Sequence, residues 1–144
     1  MDKSKQLKIF VVDDEVFYLN ILEQHIRNMG YENVTTFNNG TDCLNQITGK
    51  PDVVFLDYSM DTLTGYDVLK KIKRYDPNIY IVMISGQEDI KAAVDTLKHG
   101  AFDYIQKGDK AEEKIKHVLE RILEVKALLK QSNPSFLRKF LQIL

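Results

Sequence analysis

The chain has 144 residues, 44% hydrophobic and 28% charged, with a formal net charge of −1 at neutral pH. It is one domain's worth of protein, long enough to bury a single core, and its near balance of acids and bases gives no reason to expect nucleic acid or an anionic membrane as the main partner. The single cysteine, Cys43, excludes an internal disulfide framework, and His25, His99 and His117 form no metal-ligand spacing with it. Cys43 therefore reads as a small core residue. The charged N-terminus is followed by only four apolar residues, Ile9 to Val12, too few for a signal-peptide core, and nothing is long enough to span a bilayer. A cytoplasmic, reducing location is the expectation.

Leu7 to Val12 is a short β-branched run that stops at Asp13-Asp14-Glu15, which predicts a buried strand followed at once by a helix start, where carboxylates suit the positive end of the helix dipole. The first helix carries Leu19, Leu22, Ile26 and Met29 at steps of three and four, with Gly30 after its end. A weaker strand covers Asn33 to Phe37, and Asn38-Asn39-Gly40-Thr41 caps a short helix through Leu44 and Ile47. The central strand is Val53-Val54-Phe55-Leu56-Asp57-Tyr58, an apolar run ending in a carboxylate. A polar loop from Ser59 to Thr64 leads through Gly65 into a helix with Val68, Leu69 and Ile72.

Ile79 to Ile84 is the fourth strand, closed by Ser85-Gly86. Glu88 to His99 is predicted as a helix with Ile90, Ala93, Val94 and Leu97 facing inward and His99 suiting its negative end. Phe102 to Gln106 is the fifth strand, ending at Lys107-Gly108, and the last helix starts near Asp109. Five strands alternating with five helices predict an α/β fold: a five-stranded, doubly wound parallel sheet with helices on both faces.

In an open parallel sheet, ligands bind beyond the carboxyl ends of the strands. Strands one, three, four and five end at Asp13-Asp14, Asp57, Ser85 and Lys107, so three carboxylates, a hydroxyl and an ammonium are expected at one edge. Each alone has a plain structural explanation as a cap, turn or surface charge; together they do not. Three adjacent carboxylates repel unless a cation joins them, and hard oxygen ligands with room for water suit Mg²⁺, or Mn²⁺ in its place. A carboxylate can also attack phosphorus to form an acyl phosphate, which makes Asp57 the expected nucleophile.

These stretches resemble the receiver domain of two-component response regulators, a CheY-like and flavodoxin-like (βα)5 fold. The resemblance rests on Val11-Val12-Asp13-Asp14-Glu15, on Leu56-Asp57-Tyr58-Ser59-Met60 with Gly65, on Ile84-Ser85-Gly86, and on Gly100 to Lys107. It implies that Asp57 is phosphorylated by a partner histidine kinase or phosphotransfer protein. It further implies that Asp14, Asp13, Asp57 and the backbone carbonyl of Ser59 serve the metal, that Lys107 and Ser85 contact the phosphoryl oxygens, and that Tyr104 turns inward behind Ser85. Ser59 and Gln87 stand where the family tunes dephosphorylation. On the family's pattern the output is a shift of the face made by the fourth helix, fifth strand and fifth helix. The chain departs from the pattern in having Gly108 where proline, often in a cis bond that helps aim the lysine, usually follows it. It also has Asp61 where proline usually stands four residues after the phosphoacceptor.

The expected division is a receiver over residues 1–124 and a helical extension with an apolar tail over 125–144. Ile115, Val118, Ile122, Val125 and Leu129 form a coiled-coil-like seam, widened by Leu119, Leu123 and Leu128. Its end, beyond about Ile122, is a candidate dimerisation segment beside the face described above. Ser132-Asn133-Pro134 interrupts the helix, and Phe136 to Leu144 is too apolar for a solvated tail. No DNA-binding module is recognisable, so output is expected through a downstream effector protein or an effector domain outside this chain. The expected activity is at most self-catalysed phosphotransfer and autodephosphorylation. The competing readings are a receiver-like binding module without phosphorylation and an aspartyl-nucleophile phosphatase, the latter weakened because Ser59 stands where haloacid-dehalogenase-like enzymes need a second acid. An FMN-binding relative of the same fold is weakened by Asp13-Asp14-Glu15 at the place where a phosphate site wants glycine and hydroxyls.

Overall fold

The computed structural model describes residues 6–86 and 89–131. Gln87, the start of the helix expected at Glu88, and the apolar tail beyond Gln131 lie outside the described residues. In chain order the elements are β1 (Ile9–Val12), α1 (Val16–Asn28), β2 (Val34–Phe37), α2 (Gly40–Asn45), β3 (Val53–Asp57), α3 (Gly65–Tyr75), β4 (Tyr80–Ser85), α4 (Ile90–Lys98), β5 (Asp103–Gln106) and α5 (Ala111–Gln131). A single 3-10 turn, Ile47–Gly49, continues α2.

All strand pairs are parallel, in the order β2-β1-β3-β4-β5. The central strands are apolar throughout because each side chain faces one of two cores, alternating residue by residue. Ile9, Val11, Val53, Phe55, Val82 and Ile84 pack with Leu19, Leu22 and Ile26 of α1 and with Ile115, Val118, Leu119 and Ile122 of α5. Phe10, Val12, Val54, Leu56, Ile81 and Met83 pack with Cys43 and with Val68, Leu69 and Ile72 of α3. Cys43 is fully buried, and burial pushes its thiol up to about 12, which makes it an inert core residue.

The helix ends follow ordinary chemistry. Asn39 accepts from the Asp42 N–H, Thr64 from the Asp67 N–H and Asp89 from the Ala92 N–H at the starts of α2, α3 and α4. His99 closes α4, with Nδ1 2.7 Å from the Asp95 carbonyl oxygen and Tyr66 Oη within 3.2 Å of the ring nitrogens. The structural role expected for it is the one its contacts describe.

The expected orientation of α4 is corrected. Ile90, Val94 and Leu97 are exposed, Ile90 at 76%, and the residues that turn inward are Ala92 and Thr96. Small side chains let this helix sit close to the sheet edge, and Thr96 donates its hydroxyl proton to the Ala93 carbonyl, so its burial leaves no unpaired polar atom. In α5 the seam is buried through Ile122, and Leu128 and Leu129 near its end are exposed. The boundary expected after residue 124 falls inside this continuous helix.

Gly65 fixes the approach of the loop after β3. Any Cβ there would collide with the Asp57 carbonyl and come within 2.8 Å of Tyr58 Cα, both of them backbone atoms that cannot step aside. Its N–H donates to the Tyr58 carbonyl at 3.0 Å, closing the loop directly behind Asp57. Gly65→Ala is expected to lower unfolding stability by about 2 kcal/mol through this overpacking, measured by urea denaturation. An unchanged midpoint would show that the loop can move away freely.

Candidate functional site

The strand order reverses between β1 and β3, and the crevice at their carboxyl ends is where a doubly wound sheet places a site. Register does the positioning. Val12 pairs with Leu56, so Asp13 and Asp57, each one residue further on, stand side by side. Asp57 pairs with Ile84 and Ser85 with Gln106, which brings Ser85 and then Lys107 to the same edge. The Lys107 N–H donates to the Ser85 carbonyl at 2.7 Å, and the Tyr58 N–H to the Ile84 carbonyl at 2.8 Å, continuing the ladder past the strands.

The oxygens of Asp13, Asp14 and Asp57 lie within 4.8 Å of one another, a grouping that could hold a metal ion. Asp13 is fully buried and Asp57 is 4% exposed, while Asp14 is exposed to solvent. Asp13 Oδ1 accepts from the Glu15 N–H at 2.9 Å. Its Oδ2 is buried, and Lys107 Nζ is 2.9 Å away but off the line of a good hydrogen bond, so this oxygen keeps acceptor capacity for a further ligand. Lys107 Nζ also lies 3.4 Å from Asp57 Oδ1 and 4.0 Å from Glu15 Oε2. Among the described residues three carboxylates share one ammonium, which leaves the cluster short of positive charge, and the buried Asp13 Oδ2, ion-paired with Lys107 but without a completed hydrogen bond, is a donor a hard divalent cation would take.

The electrostatics follow from this crowding. Burial first, and then the negative charge of Asp13, push the Asp57 carboxyl up to about 6 despite the opposing Lys107 ammonium. For Lys107, burial alone would lower the ammonium's pKa, but its contact with Asp13 and the charges of Asp57 and Asp13 outweigh that and hold it above its ordinary value.

Of the remaining expected residues, Ser85 is 2% exposed at the end of β4. Tyr104 is half-buried on β5 with its ring against the Met83 side of the core, and its hydroxyl oxygen is buried with no hydrogen-bond partner among the described residues. Ser59 is exposed in the loop after β3, and Asp61, exposed in the same loop, lies outside the carboxylate group. Every described peptide bond is trans, so Lys107 is not aimed by a cis bond; Gly108 follows it at φ 149°. Sequence reading missed the residue that touches Lys107 from the other side: Tyr18 of α1, whose ring centroid is 4.3 Å from Lys107 Nζ. The only available signal was its place in the first turn of α1, directly after the acidic run.

The family model for the response regulator receiver domain matches residues 9–120. The chain is 36% identical over 105 residues to the transcriptional regulatory protein ZraR of Klebsiella oxytoca, covering 72% of this chain and 24% of that protein. It is 35% identical over 100 residues to the DNA-binding transcriptional regulator NtrC of Escherichia coli K12, covering 69% and 21%. The chain thus spans about a quarter of the length of the curated relatives it matches. A crystal structure of a receiver domain protein from Clostridium thermocellum aligns with a TM-score of 0.79 at 30% identity, over 85% of this chain and 98% of that one. NtrX from Brucella abortus aligns with a TM-score of 0.79 at 34% identity, over 88% of this chain and 28% of that one. Among the described residues no helix is long and apolar enough to cross a membrane.

The raised Asp57 pKa makes a stability prediction. The folded protein holds this proton more tightly than the unfolded chain, so stability falls as pH rises from about 4 through about 6 and stays reduced above that. In a chelator-containing buffer at pH 7.5, Asp57→Asn is expected to be more stable than wild type by on the order of 2 kcal/mol, with the gain vanishing below pH 4. Urea midpoints across pH measure it, and a gain independent of pH would show that the buried charge is not the cause.

Proposed function

The chain belongs to the response regulator receiver domain family, and from that premise we propose that it is a phosphorylation-operated switch. Asp57 accepts a phosphoryl group from a partner histidine kinase or phosphotransfer protein. The observation that carries this reading is the grouping of Asp13, Asp14 and Asp57 within 4.8 Å, with Lys107 Nζ 3.4 Å from Asp57 Oδ1, at the carboxyl ends of the strands. Asp13, Asp14, Asp57 and the Ser59 carbonyl would hold Mg²⁺, which when bound neutralises the carboxylates and withdraws charge from the phosphoryl oxygens. Asp57 in its ionised form attacks phosphorus; the new bond is an acyl phosphate, and the bond from phosphorus to the donor's imidazole nitrogen breaks, leaving the electron pair on that nitrogen. Lys107 meets the charge on the phosphoryl oxygens, and the Ser85 hydroxyl donates a hydrogen bond to them. Val16 and Phe17, exposed at 55% and 74% beside the acidic pair, offer the donor protein an apolar contact at the mouth of the site.

The output surface of this reading is the face of α4, β5 and α5. The outward Ile90, Val94 and Leu97 give it an apolar stripe, and the Tyr104 hydroxyl, buried with no partner among the described residues, gives it a side chain with reason to move. Phosphorylation adds close to two negative charges beside Ser85 and Lys107, which shifts the balance between two arrangements of that face. The partner is a downstream effector or a second copy of the chain, bound in the cytoplasm, with Leu129 at the exposed end of α5 available to either. The relatives named as transcriptional regulators are several times longer than the matched segment, so an effector domain joined to this one is a further form of the same output.

Incubation with Mg²⁺ and acetyl phosphate is expected to add one phosphoryl group, labile to hydroxylamine, seen by intact-mass measurement. Asp57→Asn is expected to take none, and Lys107→Gln to take it about a hundredfold more slowly. Wild-type protein that stays unmodified, or an undiminished adduct in Asp57→Asn, would contradict the proposal.

A further inference from the structure

Lys107 has to present its ammonium to one point although its surroundings pull it several ways. Asp13 Oδ2, Asp57 Oδ1 and Glu15 Oε2 lie 2.9, 3.4 and 4.0 Å from Nζ, and Glu15 is exposed, so the third attraction draws the side chain outward. Backbone constraint is slight: the Lys107 N–H is anchored on the Ser85 carbonyl, but the next residue is Gly108 at φ 149°, and a Cβ there would meet nothing within 4 Å. The aliphatic stem passes Gly86, where a Cβ would lie 3.8 Å from Lys107 Cδ. What stands under the ammonium is the ring of Tyr18, 4.3 Å from Nζ to the centroid, in the range of a cation–π contact. Tyr18 is half-buried and packed against the core beneath α1, so its ring is a fixed surface on which the cation rests.

Resting on the phosphorylation reading above, we infer that Tyr18 is the positioning residue for Lys107: the face of its ring holds the ammonium over the Asp13–Asp57 pair and away from Glu15. Tyr18 touches no reacting atom and acts through Lys107 alone. The ring face, and not the hydroxyl, is the working part, so Tyr18→Phe keeps the function and Tyr18→Leu slows it.

Two readouts test this. In protein with isotope-labelled lysine, the Lys107 Cε protons are expected to be shifted upfield by the ring in wild type and Tyr18→Phe, and to return to the ordinary lysine position in Tyr18→Leu. With acetyl phosphate and saturating Mg²⁺, adduct formation in Tyr18→Leu is expected to be about tenfold slower than wild type, and in Tyr18→Phe within twofold. Mono- to trifluorinated phenylalanine at position 18, which weakens the ring's negative face at nearly constant volume, is expected to lower the rate stepwise while the urea midpoint stays level, which separates positioning from folding. Equal rates in wild type and Tyr18→Leu overturn the inference, as does a rate indifferent to fluorination or an unshifted Lys107 in wild type. Wild-type protein that forms no adduct overturns the phosphorylation reading and the positioning role with it, whereas an adduct formed equally fast in Tyr18→Leu overturns the positioning role alone.

Discussion

The constraint on which this structure turns is the confinement of three carboxylates at one end of a buried parallel sheet. Two of them, Asp13 and Asp57, are almost wholly removed from water, and register places them side by side. Like charges at that separation are unfavourable, and a single ammonium offsets only part of the excess. The fold tolerates this because the surrounding strands are apolar on both faces and bury a hydrophobic core on each side of the sheet. Such local cost, sustained by the rest of the domain, is the usual mark of a site kept for chemistry rather than stability.

The same arrangement explains where a change of charge could be felt. Neutralising or extending the cluster acts first on Lys107 and Ser85, which are linked by the backbone bond from β5 to β4. Next to them stands Tyr104, whose buried hydroxyl has no hydrogen-bond partner among the described residues. Beyond it, α4 is seated on the sheet through Ala92 and Thr96, two small side chains, while α1, α3 and α5 each bury several large ones. An element with little apolar burial belongs to the low-stability end of a fold, where small free energies move structure.

Most of this was legible in the chain. The apolar runs at Ile9, Val53 and Ile79 marked strands buried on both faces, and the acids, serine and lysine at their ends marked the site, because strand direction in a parallel sheet sends all carboxyl ends to one edge. The orientation of α4 was not legible. Ile90, Val94 and Leu97 have the spacing of a core stripe, and periodicity alone cannot tell a stripe facing its own sheet from one kept for a partner. The contact of Tyr18 with Lys107 joins residues 89 positions apart in sequence, through a helix rotation that only tertiary packing sets. Gly108, standing where the family's pattern has proline, leaves Lys107 with no cis bond to aim it. Gln87 and the apolar stretch from Phe136 to Leu144 fall outside the described residues.

The cluster's dependence on a cation is measured most directly by following the Asp57 side-chain carboxyl carbon by NMR as pH is varied, with and without Mg²⁺. Without metal Asp57 is expected to titrate near pH 6, and saturating Mg²⁺ is expected to move it below the ordinary carboxylate range. Titration at about pH 4, the value of an unperturbed aspartate, with no response to Mg²⁺, would contradict it.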